Sequence, residues 1–199
     1  ASLDLFSPRL FKYYTEHMEK LRAHPEYKHL PRGNPYEDTV DDGPEVFACH
    51  TENHPPSTYT IPHRDVMNLA FGWCAIFALG QFDSSLGGHL VLHDLKLMIP
   101  FPHGSCIMIP SAFLWHSNVP IRREEGRASL TFYTAGCLFR FIDNGCQTES
   151  KTVSTFDDYF DQDLHVRAKK IRIKVGANLY SKIGEVRRPG QAVLEPIYV

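Results

Sequence analysis

Several features are scarce in this chain, and each scarcity closes off a class of protein. None of the five cysteines, at 49, 74, 106, 137 and 146, stands in a Cys-x-x-Cys pair, and their number is odd. This argues against a disulfide framework or a thiolate zinc site and predicts reduced thiols in a reducing compartment. Cys74, Cys106 and Cys137 lie in apolar strand-like runs, where a thiol serves as a small hydrophobe. There is no secretory leader and no apolar run long enough to span a bilayer, so an intracellular chain, or a piece of an intracellular protein, is expected. Neither charge sign dominates: 21 Lys and Arg face 23 Asp and Glu, a formal net charge of −2. Contact with a polyanion therefore has to come from a local patch. Repeats and low-complexity segments are absent.

What is present suits one folded domain over 1–199. Of its residues 43% are hydrophobic, enough for a sizeable core. Ser7 followed by Pro8 is a helix start, and Leu10, Tyr14, Met18 and Leu21 share one helical stripe, which predicts an amphipathic helix over 8–22. Pro, Gly, Asn and acidic residues crowd 25–56, a long loop broken by a possible short strand at 45–49. Its acidic members Glu37, Asp38, Asp41, Asp42 and Glu45 would repel a phosphate backbone. Short β-rich runs follow at 58–61, 73–79, 90–92, 105–109, 114–118 and 128–134, with turns at Gly87-Gly88 and 102–104. Strands at this spacing, with no helices between them, argue for a sandwich or barrel. After Gly145 the character changes. Thr155 and the acidic residues behind it open a helix, followed by a basic run of Arg167, Lys169, Lys170, Arg172, Lys174, Lys182, Arg187 and Arg188, which is either a phosphate contact or a solvated face. The predicted class is mainly β with flanking helices (α+β): helix and loop over 1–57, a β core over 58–140 and a helical, basic extension over 141–199.

The chemistry concentrates at Pro62-His63-Arg64-Asp65-Val66-Met67-Asn68. On a strand, residues i and i+2 face the same way, so His63 and Asp65 can reach one ion together. With 11 histidines in the chain, a His-x-Asp alone carries little weight. Its weight comes from His116 as a third ligand and from Arg127, eleven residues later, on a strand-like run. Two histidines and one carboxylate leave positions open on the ion, which suits Fe(II) enzymes that must also bind a cosubstrate and O2. Arg127 offers a planar, permanently charged fork for a carboxylate, and Ser129 adds a hydroxyl. Arg127, Ser129 and Tyr133 differ by even numbers and are expected to point inward together, away from Leu130 and Phe132.

These residues resemble the 2-oxoglutarate, Fe(II)-dependent oxygenases, and within them the TET/JBP group that oxidises methyl groups on DNA bases. The resemblance spans about 59–138. It is carried by Pro-His-Arg-Asp-x-x-Asn at 62–68, by His-x-x-x-Pro from His116, and by Arg-x-Ser-Leu-x-Phe-Tyr at 127–133. The run after Asn68, Trp-Cys-Ala-Ile-Phe-Ala-Leu, is most similar to transposon-associated fungal versions. The resemblance implies a double-stranded β-helix (jelly-roll) core with Fe(II) held by His63, Asp65 and His116. It also implies 2-oxoglutarate on Arg127 and Ser129 with His89 nearby, O2 as co-reactant, and a nuclear enzyme acting on DNA with a methylated base, 5-methylcytosine first. Asn68 matches an asparagine that hydrogen-bonds the base and Tyr133 an aromatic that stacks on it; an extruded base needs both kinds of contact. Each also has a plain structural reading, as a turn residue and a core aromatic. The chain departs from animal TET enzymes at Ala135, where they carry a base-contacting histidine, and it has no cysteine-rich zinc region ahead of the strands. The alternatives are the same chemistry on RNA or a small molecule, or a non-catalytic binding module on the same barrel.

Overall fold

The structure is a computed structural model that describes residues 2–30, 45–55, 59–156 and 159–182. The chain divides into two compact units, Phe47–Leu138 and, from its two ends, Ala1–Val46 with Phe139–Val199.

The first unit is built of antiparallel strands: β1 (Cys49–Asn53), β2 (Cys74–Gln81), β3 (Leu90–Leu92), β4 (Leu97–Ile99), β5 (Cys106–Ile109), β6 (His116–Asn118) and β7 (Gly126–Tyr133). They form a four-stranded sheet in the order β1-β7-β2-β5 and a three-stranded sheet in the order β4-β3-β6. Pairing of β2 with β7 sets Ile76 opposite Thr131, Ala78 opposite Ser129 and Gly80 opposite Arg127. The period of two then sends Cys74, Ile76 and Ala78 to the inner face, where they meet Leu90, Leu92, Phe101 and Ile109 in one core fed by both sheets. On the other face Phe132 packs edge-on against Phe77 at 5.9 Å.

The first strand lies at Cys49–Asn53 rather than 45–49, because its partners on β7 run from Tyr133 opposite Cys49 to Ser129 opposite Asn53. Residues 59–61 are not a strand. Side-chain bonds hold this segment instead, with the Thr60 amide and hydroxyl both donating to Asn118 Oδ1 at 2.8 and 2.7 Å. Strand β4 was not anticipated; two of its three residues, Leu97 and Met98, are exposed, so it lacks an alternating pattern. Of the three cysteines read as small hydrophobes only Cys74 is buried: Cys106 opens the edge strand β5, Cys137 lies on a helix, and both are exposed. All five thiols are free, and burial pushes that of Cys74 up to about 11.

The second unit holds helices α1 (Ser2–Phe6), α2 (Pro8–Ala23), α4 (Glu149–Ser154) and α5 (Tyr159–Asn178), together with the end of α3 (Gly136–Asp143). The stripe Leu10, Tyr14, Met18 and Leu21 on α2 is buried, and Phe139 stacks on Tyr13 at 5.2 Å. Ser7 occupies the N-cap position of α2, but its side chain makes no capping bond; its amide donates to Leu3 O at 2.8 Å. Thr155 does not start α5. It ends α4, whose own cap is Thr148, accepting from the Lys151 amide; Asp157 and Asp158 lie outside the described residues. Much of the basic run on α5 is paired: Arg167 with Asp163 at 2.7 Å, Arg172 with Asp143 at 3.7 Å, and Lys169 with Glu149. Arg187 and Arg188, like Glu37, Asp38, Asp41 and Asp42, lie outside the described residues, while Glu45 pairs with Arg22. No helix among the described residues is long and apolar enough to cross a membrane.

Candidate metal centre

His63 and Asp65 do not lie on a continuous strand, and their convergence has another cause. A two-residue bridge joins His63 to His116, with His63 N–H donating to His116 O at 3.0 Å and His116 N–H to His63 O at 2.9 Å. That pairing sets the two imidazoles side by side, ring centroids 4.3 Å apart. The Asp65 amide is fixed on Ser111 O at 3.0 Å, and the chain then turns, with the Asn68 amide donating to Asp65 O at 2.8 Å. One ligand atom from each of His63, Asp65 and His116 lies within 4.8 Å of the other two.

The hydrogen bonds select which imidazole nitrogens face the centre. Nδ1 of His63 lies 2.8 Å from Ile61 O, and Nδ1 of His116 lies 2.9 Å from Leu114 O. A carbonyl only accepts, so in the neutral rings both Nδ1 atoms carry the proton and both Nε2 atoms keep a lone pair. Backbone carbonyls on the far nitrogen are the usual outer support of metal-binding histidines. Burial, and then the neighbouring His63, push the pKa of His116 down, which favours the neutral, ligating form. His63 Nε2 stands 3.5 Å from Asp65 Oδ1. Two imidazole nitrogens and a carboxylate at this spacing fit a divalent first-row metal with coordination positions to spare.

The triad opens on a cavity of about 470 Å³ whose wall includes Thr51, Asn53, Asn68, Arg127, Ser129, Thr131 and Tyr133. Such a volume lies within the range of about 300–1,000 Å³ typical of small-ligand sites. Arg127 is 3% exposed, and its guanidinium carbon lies 5.8 Å from the centre of the Phe82 ring. Burial lowers its pKa by penalising the charged form; guanidinium nevertheless stays protonated, so the cavity wall carries a fixed cation. Two glycines allow the close packing beside it. Gly80, opposite Arg127, has φ +112°, and a Cβ there would lie 2.2 Å from Gly126 O; a Cβ at Gly88, φ +72°, would meet the Phe82 ring at 2.6 Å. Ser129 Oγ accepts from Asn53 Nδ2 at 3.0 Å, and Tyr133 accepts from the Thr51 hydroxyl at 3.2 Å.

The structure thus brings His63, Asp65, His116, Asn68, Arg127, Ser129 and Tyr133 to one cavity. His89 is not on its wall, although the next residue, Leu90, is, and its Nδ1 is buried without a hydrogen-bond partner among the described residues. Asn68 donates through Nδ2 to Asp65 Oδ2 and to Ser111 Oγ, each at 3.3 Å, and its backbone bridges to Ala135. Sequence reasoning passed over Asn53, Thr51, Phe82 and Ser111, which belong to no motif and meet their partners only through the fold.

No protein-family model and no curated protein matches the chain. Among solved structures, NgTET1 in complex with 5mC DNA overlaps 43% of this chain and 32% of its own, at 18% identity and a TM-score of 0.37. The viral collagen prolyl hydroxylase vCPH of Paramecium Bursaria Chlorella virus-1, in its 2OG complex, overlaps 43% of this chain and 60% of its own, at 16% identity and a TM-score of 0.32. A truncated form of the same hydroxylase overlaps 42% and 52%, at 17% identity and a TM-score of 0.31. The chain spans less than two thirds of each of these proteins. Overlaps this partial carry no functional argument.

Proposed function

We propose that this chain is an Fe(II)- and 2-oxoglutarate-dependent dioxygenase of TET/JBP type. In this reading it oxidises the methyl group of a modified base in DNA, 5-methylcytosine first, inside a nucleus, with the two sheets as a double-stranded β-helix. The observation that carries the oxygenase chemistry is the meeting of the His63, Asp65 and His116 ligand atoms with buried Arg127 on one cavity. Bound there, Fe(II), 2-oxoglutarate and O2 supply the oxidation of an unactivated C–H bond, which no side chain performs.

The chain's own residues bind, orient and exclude water. Arg127 grips the distal carboxylate of 2-oxoglutarate through its fork, and Ser129, steadied by Asn53, adds a hydroxyl. His89, next to Gly88, is assigned to the neighbourhood of the cosubstrate by the family resemblance alone. Tyr133 offers an aromatic face for an extruded base. With its amino group committed to Asp65 and Ser111, Asn68 has its carbonyl to offer, which suits a base bearing an exocyclic amino group, as cytosine does.

The same chemistry on RNA or a small molecule is the second reading; the pairing of Arg167, Lys169 and Arg172 with carboxylates weakens any phosphate grip from α5 and so favours the small molecule over either nucleic acid. The test is incubation with Fe(II), 2-oxoglutarate and O2 and with oligonucleotides bearing 5-methylcytosine, thymine or N6-methyladenine, followed by mass spectrometry. The expected product is a strand heavier by one oxygen, with stoichiometric succinate. Cosubstrate turnover with oxidised RNA or metabolite but no oxidised DNA base would overturn the DNA substrate and leave the oxygenase; no turnover and no metal binding would overturn both.

A further inference from the structure

The Asp65 carboxylate has a support that the metal reading does not require. Asn68 Nδ2 lies 3.3 Å from Asp65 Oδ2 and 3.3 Å from Ser111 Oγ. A carboxylate only accepts, so the amide must turn its NH2 toward Asp65, which fixes the orientation of the Asn68 side chain. Ser111 is 1% exposed, and its carbonyl takes the Asp65 amide at 3.0 Å. Asp65 is therefore held at two points, backbone and carboxylate, by a pair of residues from outside the triad. The bond to Oδ2 leaves Oδ1 beside His63 Nε2, at 3.5 Å.

We propose that Asn68 and Ser111 are positioning residues for the metal: through Asn68 they hold one oxygen of the Asp65 carboxylate and present the other to the ion. This rests on the metal reading above but differs from a base-contacting role for Asn68, because it predicts an effect with no nucleic acid present. Outer partners of metal ligands are typically worth roughly 10–100-fold in metal affinity.

The test is calorimetric titration of the chain with Mn(II), without cosubstrate or DNA, in wild type, Asn68→Ala, Asn68→Leu and Ser111→Ala. Circular dichroism and the midpoint of thermal unfolding monitor the fold. Asn68→Leu keeps most of the volume and removes the donor; Ser111→Ala removes a single buried hydroxyl and is the mildest change. Both Asn68 variants are expected to lose roughly 10–100-fold in Mn(II) affinity. Ser111→Ala should lose in the same direction by less, and Co(II) bound in place of Mn(II) should show shifted d–d absorption in all three. Once metal is saturating, 2-oxoglutarate affinity should match wild type, a split that general loss of fold would not give. Mn(II) affinity within twofold of wild type and an unshifted Co(II) spectrum in the folded variants would overturn the proposal, even if binding of methylated DNA fell. If wild type itself bound no Mn(II), the metal reading would fail and this inference with it.

Discussion

Replacing Arg127 by alanine truncates a residue that is 3% exposed, stands opposite Gly80 on the neighbouring strand and carries its guanidinium by the Phe82 ring. If this cation grips the distal carboxylate of 2-oxoglutarate, its loss leaves a charge paired in the complex without its partner in a water-poor site. Truncating one side of such a pair costs about 2–5 kcal/mol. At about 1.4 kcal/mol per decade, the dissociation constant of 2-oxoglutarate should rise roughly 30-fold to several thousand-fold. Arg127→Lys should fall between, because it keeps charge and loses the two-pronged geometry. The assay is titration of 2-oxoglutarate into Mn(II)-loaded protein without O2, so that binding is read apart from turnover. Mn(II) affinity itself should stay near wild type in both variants, since Arg127 is not in the triad. A 2-oxoglutarate affinity in Arg127→Ala within threefold of wild type would refute the anchor; equal affinity in Arg127→Lys and wild type would refute the fork.

Gly80→Ala forces a side chain onto φ +112° and a Cβ to 2.2 Å from Gly126 O, so a loss of at least about 1–3 kcal/mol and a lower unfolding midpoint are expected; an unchanged midpoint would contradict the packing described. Tyr133→Ala should weaken binding of methylated oligonucleotide by roughly 1–3 kcal/mol while uncoupled 2-oxoglutarate turnover persists, and loss of both would assign Tyr133 to the frame instead. If α5 meets phosphates, binding should weaken steeply with salt. Reversing Lys170 should then flatten that slope more than reversing Lys169, which is already paired with Glu149. The folded pKa of His116 is depressed, mainly by burial. The unfolded chain therefore binds more protons between that value and about 6.5, and metal-free stability should rise with pH up to about 6.5 and fall in acid. Unfolding midpoints at pH 5 and pH 7.5 should differ less in His116→Ala than in wild type.

Local pattern alone gave much of this protein. The 3.6-residue stripe of Leu10, Tyr14, Met18 and Leu21 is buried because a helix has one face to hide, whatever packs on it. The even spacing of Arg127, Ser129 and Tyr133 puts all three on the cavity wall because strand pleating has a period of two, and Phe132, one residue out of phase, packs against Phe77 instead. The same logic failed at 59–61 and at Thr155. Thr60 is held by a side chain of β6, and Thr155 closes a short helix whose cap at Thr148 resembles many other threonines in sequence. The His63–Asp65 spacing was legible, but its cause was not. Strand geometry was expected, whereas a two-residue bridge to His116 and the carbonyl of Ser111 set the geometry. Contacts between residues far apart in the chain decided the rest. Asn53 reaches Ser129 across 76 positions and Asn68 reaches Ser111 across 43. Polar residues such as these have no periodic signature, because what selects them is the one atom that must be satisfied when two distant segments are buried together. Sequence fixed the kinds of ligand available; tertiary structure decided which nitrogen, which carboxylate oxygen and which neighbours would hold them, because those choices depend on hydrogen bonds that exist only after the chain has closed on itself.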